Sequence, residues 1–228
     1  MPQSPLHVSV EAAHVTLCKY ILKITEDKNP EMKDHLATKN RYKGWTPLHE
    51  AAQEGHFLIC SLITDEIQDK NPGDDTGDTP LHAAAAGGKL ETFKMIMNKA
   101  DTDINPSENG GWTPLHAAAS EGHLLICSMI MDEIQDKNPG DGAGTTPLHV
   151  AAEGGHLEAF EMIMNKAGSD FNPSNNYGWT PLHGAAQFGQ REMCKFIADK
   201  IENKNPEDNN GVTPQELMWN NVCGIDQN

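Results

Sequence analysis

The sequence predicts an all-α solenoid of stacked helix-turn-helix units with extended finger loops, and three observations carry that prediction. The string Thr-Pro-Leu-His begins at Thr46, Thr79, Thr113, Thr146 and Thr180, at alternating spacings of 33 and 34 residues. An Asn-Pro pair closes each unit, at 29–30, 71–72, 105–106, 138–139, 172–173 and 205–206. Between these landmarks apolar residues recur at helical spacing, as at Ile59, Cys60, Ile63 and Ile67. Units of this length cannot bury an apolar face alone and must stack on their neighbours.

Each element follows from local chemistry. Thr is a good helix N-cap, and the Pro after it occupies the first helical position, where a missing N–H costs nothing. A short Ala-rich helix is expected over Leu48 to Gln53, ended by Gly55, which tolerates the left-handed cap conformation. A second helix starts at His56. Asp69-Lys70-Asn71-Pro72-Gly73 then breaks it and begins the finger. A Gly stands shortly before each motif, at 44, 77, 111, 144, 178 and 211.

The ends deviate. Ser4-Pro5-Leu6-His7 is an earlier copy, 42 residues before Thr46, with an insertion around Glu31 to Lys43. Ser9-Val10 stand where other copies carry paired Ala, and Ala13 stands where they carry Gly, so this unit reads as a divergent N-terminal cap. Thr213 opens a weaker copy followed by one helix, which reads as the C-terminal cap. The expected organisation is a single domain over 1–228, with repeats 4–43, 44–76, 77–110, 111–143, 144–177 and 178–210 and a cap at 211–228.

These residues resemble the ankyrin repeat, whose hallmark is TPLHxAAxxGH at a 33-residue period. The resemblance covers residues 4 to 228 and rests on five full motif copies. It implies a protein-interaction scaffold, with the motif histidine hydrogen-bonded to the motif threonine and tying neighbouring loops. The usual Gly-Ala after the second helix is replaced by Ile67-Gln68 and Ile134-Gln135, so that helix is expected to run longer. The repeats opening at Thr79 and Thr146 carry one extra residue before their Asn-Pro. Fourteen residues after the first motif residue stand Cys18, Cys60, Phe93, Cys127, Phe160 and Cys194, so from Cys60 onward the true period is a pair of repeats, 67 residues long.

Composition bounds the function. The chain holds 17 Lys and Arg against 33 Asp and Glu, a formal net charge of −16. Residues 1–43 carry seven basic and five acidic groups, while the remainder carries ten and 28. Such an acidic body repels phosphate backbones and anionic lipid, so neither nucleic acid nor membrane is an expected partner. A basic partner is favoured, although plain solubility charge is the competing reading. No apolar run approaches a membrane span. Five cysteines placed on an apolar helix face suit a reducing compartment, cytoplasmic or nuclear.

The chemistry-bearing side chains follow the repeat register. Six of the eleven histidines are in the motif (His7, His49, His82, His116, His149, His183), four begin second helices (His14, His56, His123, His156), and His35 stands off-register. His56 with Cys60 and His123 with Cys127 have the i, i+4 spacing of paired zinc ligands. No third and fourth ligand converge on them in the sequence, so no metal and no cofactor is expected. The cysteines belong to a buried face where a thiol is inert. Methionines such as Met95, Met131 and Met193 read as core filler. No catalytic residue is expected.

The expected function is therefore a non-enzymatic, monomeric interaction module that binds a protein or peptide, preferably basic, in an acidic concave groove. The alternatives are a structural spacer with no groove partner, or a metal-binding or enzymatic protein on the same scaffold. Trp45, Trp112 and Trp179 precede Thr-Pro in alternate repeats, which the resemblance places at the base of the finger on the binding side. Large aromatics there are typical hot spots, though packing on their own finger is the competing reading. The other positions the resemblance puts on that face are Glu50, Gln53, Glu54, Asp78, Ser120, Glu121, Thr145, Glu153, Gln187 and Phe188. It also implies hydroxylation of finger asparagines after an acid and a hydrophobe, a local pattern met at Asn105 and Asn172.

Overall fold

Thirteen helices and no strands are found among the described residues. The computed structural model describes residues 4–31, 44–101, 103–168 and 170–223, with side chains through 218. The insertion at 32–43, including His35, lies outside the described residues. Two compact units, 1–117 and 118–228, divide the chain within one short helix.

The first unit holds α1 (Pro5–Glu11), α2 (Val15–Ile24), α3 (Pro47–Glu54), α4 (Phe57–Glu66), α5 (Pro80–Ala86) and α6 (Leu90–Ala100), and α7 (Pro114–Ser120) carries the division. First helices pack in a row, α1 on α3 and α3 on α5, and second helices in a parallel row, α2 on α4 and α4 on α6. The second unit holds α8 (Leu124–Glu133), α9 (Pro147–Gly154), α10 (Leu157–Ala167), α11 (Pro181–Gln187), α12 (Arg191–Lys200) and α13 (Pro214–Cys223). There α9, α11 and α13 form the row of first helices, and α8 packs on α10.

Why these helices start where they do is visible at every motif. In α3, α5, α9 and α11 the threonine caps its helix through a reciprocal box closed by the motif histidine. Thr46 N–H donates to His49 Nδ1 at 3.2 Å, and the Thr46 hydroxyl lies 2.8 Å from the same nitrogen. Nδ1 is therefore an acceptor, which leaves the ring proton on Nε2. His49 Nε2 donates it to the Asp78 carbonyl at 2.9 Å, tying the loop of the next repeat. The same link runs from His7 to Trp45, His82 to Trp112, His149 to Trp179 and His183 to Val212.

The ends of the first helices follow glycine chemistry, with one departure. Gly55 caps α3 at φ +76°, in the left-handed region that costs an L side chain about 1 kcal/mol. The N-terminal unit puts Ala13 in that conformation, at φ +52°. It keeps the turn but carries the strain.

Each Asn-Pro pair begins a finger, and its asparagine acts as a brace. The side-chain oxygen of Asn71 accepts Leu81 N–H at 3.0 Å, ten residues on. Asn105, Asn138, Asn172 and Asn205 do the same for the following first helix. Within the finger, Asp74 Oδ1 accepts Thr76 and Asp78 N–H, and Gly77 turns the chain at φ +90°.

The second helices do not run through Ile67-Gln68, against expectation. Ile67 and Ile134 are extended, at ψ 155° and 156°, and α4 and α8 stop at Glu66 and Glu133. Lys70 donates to the Ile67 carbonyl, and Lys137 to those of Met131 and Ile134, satisfying acceptors that a longer helix would otherwise have used. The extra residue of the alternate repeats is absorbed instead by α6 and α10, which have 11 residues against ten in α4 and α8.

The 67-residue period has a physical counterpart in each unit. Lys99, near the end of α6, reaches α4 and contacts Asp65 (2.6 Å), Ser61 Oγ (3.0 Å), the Ser61 carbonyl (3.2 Å) and Thr64 Oγ1 (3.2 Å). In the second unit Lys166 of α10 meets Asp132 (2.6 Å) and Ser128 Oγ (2.9 Å) on α8. The lysine clasps its own repeat to the one before it. Beneath, Cys60 and Phe93, and Cys127 and Phe160, are fully buried. A small and a large side chain alternate in the core, and each buried Phe contributes about 1.5–3 kcal/mol by leaving water.

Candidate partner-binding face

The residues that repeat most faithfully are the least available for chemistry. The six motif histidines are buried. Burial pushes His49 and His82 down to about 4, because the cation would lose its hydration, although the carbonyl each contacts pulls the other way. Protonation would also place a hydrogen on Nδ1, where Thr46 or Thr79 already donates. Burial pushes the thiols of Cys60 and Cys127 up to about 12, so neither is a nucleophile at neutral pH. Among the described residues no three of His, Cys, Asp and Glu gather where a metal ion would be held.

The tryptophan rings lie against the scaffold. Trp45, Trp112 and Trp179 stack on His49, His116 and His183, with ring centroids 5.5, 5.1 and 5.2 Å apart. Trp45 is buried, while Trp112 and Trp179 are half-buried. The neighbouring repeat uses their main-chain carbonyls. At the equivalent finger bases, Asp78 and Thr145 are half-buried, and Asn175 Nδ2 donates to Thr145 Oγ1 at 3.3 Å.

The remaining candidates stand on first helices. In the first unit these are Glu50, Gln53 and Glu54 of α3. In the second they are Ser120, Glu121, Glu153 of α9, and Gln187 and Phe188 at the end of α11. Glu54, Glu121, Gln187 and Phe188 are exposed, and the others are half-buried. Two carboxylates are held in unfavourable surroundings. Burial first, then the charges of Glu11 and Glu54, push Glu50 up to about 7. Its Oε2 is sealed from solvent and accepts no hydrogen bond. Burial alone raises Glu153.

Asn105 and Asn172, the expected hydroxylation positions, are half-buried with their side-chain oxygens committed to Leu115 and Leu182 N–H. The sequence reading missed this brace, although a ten-residue offset from Asn to the motif Leu recurs at Asn71, Asn105, Asn138 and Asn172 and was there to be found. It also missed the exposed apolar side chains of second helices, among them Tyr20, Ile24, Leu58 and Leu125. These break the helical apolar pattern only by sitting one position off the buried stripe.

A family model described as Ankyrin repeats (3 copies) matches residues 1–74, 57–141 and 125–210. With the paired helices and finger loops already seen, the chain belongs to the ankyrin-repeat family, and its fold class is the all-α ankyrin solenoid. A search of curated proteins returned no match. Ankyrin repeats generally mediate protein–protein interaction, and the family is typically non-enzymatic. No helix among the described residues is long and apolar enough to cross a membrane.

Proposed function

We propose that the chain is a non-enzymatic interaction module that takes a basic protein or peptide segment against its first helices and finger bases, as a monomer in the cytoplasm or nucleus. The supporting observation is made in each unit separately: half-buried Glu50 stands on the helix that also carries Gln53 and Glu54 in the first, and half-buried Glu153 stands on a first helix of the second, neither with an ion pair among the described residues. A carboxylate partly removed from water and left unpaired gains most when a partner brings a positive charge to it. The net charge of −16 adds long-range attraction for the same class of partner. The rings of Trp112 and Trp179 stand half-buried at the finger bases of their own units.

The test is affinity capture with the intact chain at low and high salt, beside a variant carrying E54Q, E121Q, Q187A and F188A. All four positions are exposed, so the melting temperature should stay unchanged. A Lys/Arg-rich protein captured by the intact chain, lost with the variant and weakened by salt, supports the reading. Equal capture by both chains moves the site elsewhere. If nothing is captured, the spacer reading stands.

A further inference from the structure

One position in the row of first helices departs from its repeats in a way that backbone conformation does not explain. The residue after the motif histidine is Glu50, Ala83, Ala117 and Val150 in successive repeats, and Gly184 in α11. Gly184 has no left-handed backbone; it lies inside an ordinary helix, where glycine is less favourable than alanine. Space accounts for it. A Cβ at Gly184 would stand 2.6 Å from Glu153 Cγ and 3.3 Å from its Oε1. The Glu153 side chain of α9 thus lies across α11 at the one point where α11 offers bare backbone.

Three further features surround this crossing. The Glu153 carbonyl accepts Gln190 Nε2 at 2.9 Å, which fixes the end of α9 against the following repeat. The Glu153 carboxylate has no hydrogen bond or ion pair among the described residues, and neither of its oxygens is sealed as Glu50 Oε2 is. Phe188, one helical turn beyond Gly184 and so on the same side of α11, is 62% exposed, where earlier repeats carry Glu54, Gly87, Glu121 and Gly154.

We propose that Glu153, laid over Gly184, and Phe188 form a receptor for a single lysine or arginine side chain of the partner. This rests on the basic-partner reading and gives it a residue-level site. The carboxylate supplies a charge-assisted hydrogen bond to the ammonium or guanidinium. The Phe188 ring supplies a face for the cation and for the aliphatic stem behind it. One carboxylate without further ligands is too little for a divalent metal, which requires several oxygens. An organic cation with its own apolar stem fits both halves of the site.

The probe is a nona-arginine peptide, titrated against the full chain at 150 mM salt as required to suppress diffuse attraction. E153Q should weaken binding about tenfold, the worth of one charge-assisted pair. G184A keeps every charge but displaces the Glu153 side chain, and should weaken it about fivefold, as should F188A. Other repeats carry a side chain at the Gly184 position, so G184A should fold, which a melting curve verifies. E133Q removes an equal charge from an exposed site at the end of α8 and should leave affinity within about twofold. Equal weakening by E153Q and E133Q, or wild-type affinity in G184A, overturns the receptor while leaving the basic-partner reading in place. No binding by the wild-type chain overturns both.

Discussion

Glu50 and Glu153 are the same chemical group on first helices of different units, and their surroundings give them different character. Glu50 feels the charges of Glu11 and Glu54, with one oxygen sealed from water and a side chain, Ala83, at the matching position of the next repeat. Its least costly escape from burial and like charge is to take up a proton, hence its rise to about 7. Glu153 has no carboxylate among the causes of its shift and lies over bare backbone with both oxygens reachable. With no like charge beside it, Glu153 is driven less strongly to take up a proton and stays available as a carboxylate. Both carboxylates can receive a partner's cation, but the neighbouring acids of Glu50 let a proton compete for it near neutral pH.

The largest expected effect removes the scaffold on which Glu50 stands. His49 and His82 are depressed in the folded chain from 6.5 to about 4, so the unfolded chain binds more protons between those values. Their stabilising contribution is complete above pH 6.5 and is lost as pH falls towards 4, at roughly 2–3 kcal/mol apiece. Chemical denaturation at pH 7.5 and at pH 5 should show the fall, and H49Q and H82Q should flatten it. A stability unchanged over that interval would mean that the rings are not held neutral.

Next comes Glu50 itself, whose sign is opposite. Its folded value lies above 4.5, so the folded chain binds the extra proton, and stability declines as pH rises from 4.5 through 7. E50Q should therefore raise stability above pH 7 by roughly 1–2 kcal/mol after allowance for solvent screening, and have no effect below pH 4.5. E153Q should follow the same direction with a smaller gain, since like charge adds nothing to its burial. Equal gains from the two variants would erase the distinction drawn between them.

The smallest effect concerns the helix that brings Glu11 to Glu50. Ala13 closes the turn after α1 in a left-handed conformation, and A13G should stabilise the chain by about 1 kcal/mol. The melting temperature measures it. A destabilised A13G would mean that the alanine methyl packs for more than its strain costs.

Much of this architecture can be read from the letters because its determinants are local. Thr-Pro at a helix start, and Gly at its end, act within four residues, so α3 was placed to within a residue of Pro47–Glu54 and six helix pairs with a final single helix were anticipated. The helix after Gly55 was drawn too long because its stop depends on lysines, Lys70 and Lys137, reaching back to carbonyls, a contact with no periodic signature. The tryptophans were located but not oriented, since a ring beside a histidine three residues into the helix can turn outward or stack. Gly184 carried no meaning alone. Its value lies in a side chain 31 positions away on another helix, which only packing brings near.

The most direct test is a carbon-13 NMR titration of the Glu153 carboxyl group in the free chain and with saturating nona-arginine. The account predicts a value above the ordinary glutamate range in the free chain, and a clear fall when the peptide binds, because an adjacent cation favours the carboxylate. A Glu153 titration that the bound peptide leaves unmoved would contradict it.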